Sequence, residues 1–163
     1  MKVLLRTLLS LALIVWLGAE IFFPIVAAVT FHLLHPDTHT AGRIVGELLR
    51  TMHFMGLASG SLALFVLTPL WGLYKPRATA APMFLLAAMI GLTLYSQLAI
   101  IPAMDRDRTA VGGTIDAVDA ANPNRIDFEK LHRWSVDVEG TILLLGLATV
   151  VLIAKAETRK SQE

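Results

Sequence analysis

The sequence predicts an all-α integral membrane protein, a bundle of four helices that cross the bilayer within one domain over residues 1–163. Three observations carry this. Apolar residues make up 55% of the chain and charged residues only 17%, where a soluble domain usually carries about 25% charge. The charges are unevenly spread, leaving four long stretches almost without them, and the mean hydropathy is +0.64. Within those stretches apolar residues run all round rather than alternating, so they read as helices and not as strands of a membrane barrel.

A bilayer core needs about 20 apolar residues per helix. The first span covers about 7–30. Lys2 and Arg6 ahead of it, and Ala27 and Ala28 near its end, resemble a secretory signal, but the apolar run is too long and carries Phe22, Phe23 and Pro24. It is expected to remain as a helix. The second span covers about 52–73 and the third about 80–104. The link Tyr74-Lys75-Pro76-Arg77 between them is tight and makes an antiparallel hairpin. The fourth span covers about 134–154. Two longer connections, 31–51 and 105–133, lie on one side. In the first, residues 41–50 read as a helix leading into the second span. In the second, Gly112-Gly113 marks a break, and Asn122-Pro123 gives an N-cap followed by a first-turn proline.

Orientation follows from Lys and Arg. Lys2, Arg6, Lys75, Arg77, Lys155, Arg159 and Lys160 fall on the side of the termini. Arg43, Arg50, Arg106, Arg108, Arg125, Lys130 and Arg133 fall on the other. The tally is equal, but the first set sits in much shorter segments, which favours both termini in the cytoplasm. Trp16, Trp71 and Trp134 are candidates to anchor the membrane interfaces.

Several function classes drop out. A net charge of +1 argues against a nucleic-acid partner. With no Cys there is no disulfide, thiolate site or Cys nucleophile. No phosphate-binding loop, nucleophile elbow or H-E-x-x-H occurs, so the chain leans away from being an enzyme.

Ionisable and polar residues inside spans are costly and therefore draw attention. Glu20 lies near the middle of the first span. Arg50 and His53 enter with the second, Tyr95 and Gln97 sit on the third, and Asp137 and Glu139 lie in the first turns of the fourth, below His132 and Arg133. With alternating helix directions, most of these fall in the outer half. His132, Ser135 and Glu139 follow one helical stripe, and so do His53, Gly56 and Gly60. Gly56 and Gly60 offer a small face that lets another helix approach, which turns His53 into the bundle. A structural reading stands beside the functional one: Arg50, His132 and Arg133 snorkel to water, Asp137 pairs with Arg133, and Glu20 is a protonated hydrogen-bond donor.

His32, His35 and His39 form a second group with the residue type of a metal site. Pro36 and the helix end make a poor template, so a solvated cluster is expected. His53 and His132 as axial ligands of a haem are a further reading, weakened by Arg133 beside His132. No cofactor is favoured.

Larger pieces of sequence resemble a known family. Trp16-Leu17-Gly18, Phe22-Phe23, Phe31, 41–46 (Ala-Gly-Arg-Ile-Val-Gly), Ile101-Pro102-Ala103-Met104-Asp105 with Arg108, and 128–136 (Phe-Glu-Lys-Leu-His-Arg-Trp-Ser-Val) occur in order across nearly the whole chain. This resembles the transmembrane protein 205-like family, whose bacterial members are filed as a domain of unknown function. The resemblance implies a multi-pass protein of the bacterial inner (plasma) membrane with no settled activity, and points to Gly18, Gly42, Asp105, Arg108, His132 and Ser135. That family often has Asn where this chain has Glu139. A weaker likeness, to copper-handling four-helix proteins and to the haem-binding membrane protoporphyrinogen oxidase, lacks the histidine that the oxidase type places ahead of the first-span tryptophan.

The expected function is a small binding or permeation module with a polar pocket in the outer half. Its partners are the lipid bilayer and a small ligand or cation, and oligomers are compatible with it. The alternative is a structural or assembly subunit without chemistry, and behind it a haem or quinone redox protein.

Overall fold

A backbone in hydrocarbon has to satisfy its own hydrogen bonds, and each apolar run does so as one long helix. The computed structural model describes residues 2–71 and 76–160. Helix α1 is Lys2–Leu33 and α2 is Thr38–Trp71. The third crossing is built of α3 (Pro76–Tyr95), a π turn (Ser96–Ile100) and α4 (Ile101–Ala110). A short 3₁₀ turn, Ile115–Ala117, precedes α5 (Pro123–Lys160). Four helices are thus long and apolar enough to cross a membrane, and no strand occurs among the described residues. The tight link read at Tyr74-Lys75 lies outside the described residues, as does the side chain of Trp71.

The helices outrun the apolar windows because their ends are capped. Asp37 accepts the Thr40 backbone N–H at 2.9 Å, so α2 starts at Thr38 rather than near residue 41. Bonding by Thr40, through its side chain and its backbone N–H, holds the Asp37 carboxyl below the usual aspartate range. Asn122 accepts the Asn124 N–H at 2.9 Å and Pro123 opens α5. At the end of α4, Gly112 and Gly113 take positive φ (78° and 98°), and the Gly113 N–H closes on the Arg108 carbonyl at 2.9 Å. The connections expected at 31–51 and 105–133 are therefore mostly helix. Thr38 donates to Asp116 at 2.7 Å, tying the two connections together, and within the second Arg125 donates to the Val118 carbonyl at 2.8 Å.

The π turn has a covalent cause. Pro102 has no N–H to give to the carbonyl four residues back, and its ring crowds that carbonyl. One widened turn absorbs the misfit and re-aims Ser96 and Gln97.

The core occupies the half of the bundle nearer the two ends of the chain, termed the inner half, the other being the outer half. Leu9, Leu13 and Trp16 of α1 meet Ala63, Val66, Leu67 and Leu70 of α2, Leu86 and Met89 of α3, and Ile142 of α5. Gly146 of α5 is needed for this closeness, since a Cβ there would run into Leu17 and Met89. Trp16 is only 1% exposed, so it is not an interface anchor. Its indole lies against Gly56 and Gly60, where any Cβ would collide with it. The small-residue face of α2 therefore receives a side chain and not another helix's backbone. Trp134 does face outward, half exposed.

Candidate functional site

Above this core the outer halves of α1, α2, α4 and α5 diverge around a cavity of about 790 Å³. Its walls are apolar: Phe23, Pro24, Ala27 and Phe31 from α1, Val45 and Leu49 from α2, Ile101 and Met104 from α4, Leu143 from α5. Its rim is charged, with Arg50, Asp105, Arg108, Asp116, Glu129 and Arg133. Glu20, Ser135 and Glu139 line it at depth, about 20 Å below the outer end of α1 in the case of Glu20, at about 1.5 Å per residue.

Beside the cavity, hydrogen bonds join three crossings. His53, 1% exposed, places Nε2 2.9 Å from Glu139 Oε1 and Nδ1 2.9 Å from Gln97 Oε1. Ser96 donates its hydroxyl to the same Glu139 oxygen at 3.0 Å. As placed, the Gln97 oxygen accepts from the ring's Nδ1–H; turned over, its NH₂ would donate to Nδ1 instead. On α1, Trp16 Nε1–H donates to Glu20 Oε1 at 3.3 Å. Glu20, His53 and Glu139 are close enough to feel one another's charge. Glu139 Oε2 is buried and has no hydrogen-bond partner among the described residues.

At the rim, Arg50 pairs with Asp105 and reaches Glu47 at 3.6 Å. Arg108 lies over the Phe128 ring, 5.1 Å from its centroid, and the His132 ring stacks on Phe128 with centroids 6.4 Å apart. Buried or half-buried threonines within the spans need no outside partner. Thr30, Thr93 and Thr149 each donate to the carbonyl four residues back in their own helix.

The sequence candidates separate accordingly. Glu20, Arg50, His132, Ser135 and Glu139 line the cavity, while His53 and Gln97 stand behind Glu139. Tyr95 is about half exposed and Asp137 is exposed, and neither lines the cavity. Asp137 makes no ion pair with Arg133 among those the structure records; its carbonyl accepts from Thr141 at 2.8 Å. His32 and His35 are exposed and His39 half-buried, and no group of three His, Asp or Glu gathers as a metal would need among the described residues. His53 and His132 do not oppose each other as haem ligands would. The first has both nitrogens engaged, and the second stacks at the exposed rim. Sequence reasoning alone missed Ser96 and the wall residues. Pro102 inside an apolar run was the available signal for a break in helical register there.

Fold and composition define the class: a four-helix integral membrane protein. Within that class the chain belongs to the family described as a domain of unknown function (DUF4149), whose model matches residues 11–109. The matched stretch holds Glu20, Arg50, His53, Gln97 and Asp105, whereas His132, Ser135 and Glu139 lie beyond it. No curated protein and no solved structure matches the chain.

Proposed function

We propose that the protein is a small binding or permeation module whose ligand enters the cavity from the outer face of a bacterial plasma membrane, both termini being cytoplasmic. One observation carries this reading. Glu20 is 5% exposed, lines the cavity, and accepts a single long hydrogen bond among the described residues. Burying a carboxyl with so little compensation is costly, and such groups in membranes mark ligand and ion paths. A volume of about 790 Å³ suits a drug-sized molecule, and apolar walls with a few polar groups at depth are what such sites present. The resemblance to the transmembrane protein 205-like family supports the same place in the molecule. Gly42, Asp105, Arg108, His132 and Ser135, which carry it, line the cavity; Gly18 does not.

A thermal-stability screen of the detergent-purified protein against chemically diverse small molecules tests this. At least one compound class is expected to raise the melting temperature of the parent and to do so less in Glu20→Gln and His53→Ala. Identical responses of parent and variants across the whole screen would overturn it.

A further inference from the structure

The floor of the cavity has acceptors to spare and almost no donors. Among the described residues Glu139 Oε2 has no partner, and Glu20 receives one N–H, from Trp16. Pro24, which shares the cavity wall with Glu20, has no N–H to give the Glu20 carbonyl four residues back, so that carbonyl is released from its α-helical bond as well. The donors nearby are already committed: the indole N–H to Glu20, the Ser96 hydroxyl to Glu139, and the His53 ring to Glu139 and Gln97. On the cavity lining at this depth only the Ser135 hydroxyl, which serves as donor or acceptor alike, is left among the described residues, the Gln97 NH₂ standing behind Glu139. A ligand that reaches the floor therefore has to bring positive charge or N–H groups with it. An anion would meet two carboxyl groups and no free donor but that hydroxyl.

The charge of that ligand follows from the groups at the floor. The one imidazole is bonded to Glu139, so a cation seated at the floor meets in Glu20 a carboxyl that can ionise against it, whereas an anion meets nothing comparable among the described residues. At the rim Arg50 pairs with Asp105, Arg125 with Glu129, and Arg108 lies over Phe128, so these cations are engaged above the floor. The walls exclude a bare ion as the natural occupant. Their surface is mostly carbon, and among the described residues no third His, Asp or Glu joins Glu20 and Glu139 in a metal-binding group. Aromatic faces stabilise cations, and the Phe128 ring at the mouth already carries Arg108 in this way.

We infer that the cavity takes a monovalent organic cation with an apolar body, its charge seated between Glu20 and Glu139 and its body against Phe23, Pro24 and Met104. This rests on the binding reading above and names its ligand class. Tetraphenylphosphonium and tetraphenylborate are matched in shape and opposite in sign, which isolates the charge. Each ion is dialysed to equilibrium against the protein in nanodiscs of zwitterionic lipid, with empty discs subtracted. Tetraphenylphosphonium is expected to be retained and tetraphenylborate not. Glu20→Gln and Glu139→Gln should each weaken retention at least about tenfold, the scale of losing one ion–ion attraction at about 6 Å in an effective dielectric of about 20. Ala27→Trp, which fills the cavity from its wall, should abolish it. Retention of both ions, each lost in Ala27→Trp, would overturn the charge assignment and leave the cavity as a binding site. Retention unaffected by Ala27→Trp, or none of either ion, would overturn the inference; the former would count against the binding reading too.

Discussion

In the inner half of the bundle, Leu13, Val66, Leu67, Leu86 and Ile142 are buried against one another, and the buried Thr93 and Thr149 are satisfied inside their own helices. In the outer half the same four crossings part around a cavity, and His53, Ser96, Gln97 and Glu139 depend on partners from other elements. Trp16 joins the two regimes: its carbons fill the Gly56–Gly60 face below, while its N–H reaches Glu20 above. In lipid there is little hydrophobic force between helices, so close packing by small residues has to hold the bundle. The difference teaches that the inner half supplies that packing, which leaves the outer half free to stay open and polar.

The contrast is sharpest where packing is tightest. Gly60→Leu would drive a side chain into the Trp16 indole and is expected to cost about 3 kcal/mol, the upper range for overpacking. Gly91, which faces open space, should accept the same change with little effect, and melting of the two purified variants compares them. In the outer half, His53→Ala strands Glu139 and Gln97 without their shared partner and should cost about 2 kcal/mol in the same assay. A smaller effect belongs to the rim. Arg50→Ala removes a partly exposed pair with Asp105 and should cost no more than about 1 kcal/mol.

The smallest effect is a pH dependence at the α2 cap. The Asp37 carboxyl is held low in the folded protein, so its contribution is present above the unfolded value and fades as pH falls through the folded one. The stability advantage of the parent over Asp37→Asn should therefore shrink below about pH 4. An advantage that grew with acid would contradict the assignment.

The four crossings were legible in the sequence because hydrocarbon leaves a chain few other solutions. So was the stripe His132, Ser135 and Glu139, whose members share the cavity as helical spacing requires. What depth could not decide was rotation. Tyr95 and Gln97, like Asp137 and Glu139, are two residues apart, about 200° around a helix, so one of each pair faces in and the other out. The π turn at Ser96–Ile100 shifts that rotation on the third crossing, and no apolar count reveals it. The partners of His53 were hidden for the same reason. Trp16 was misread as an anchor because an indole near a span suggests an interface until the glycines that receive it are seen in three dimensions.

The absence of cysteine from the chain allows a direct test of a wet, cation-favouring outer half above a dry inner one. Single cysteines are placed at Ala27, on the cavity wall, and at Ala63, in the closed core, and treated from the side opposite the termini with cationic and anionic methanethiosulfonates. Ala27→Cys is expected to react, and several-fold faster with the cationic reagent once intrinsic rates are divided out, while Ala63→Cys stays inert to both. Equal labelling of the two positions, no labelling at Ala27→Cys, or a preference there for the anionic reagent would contradict the account.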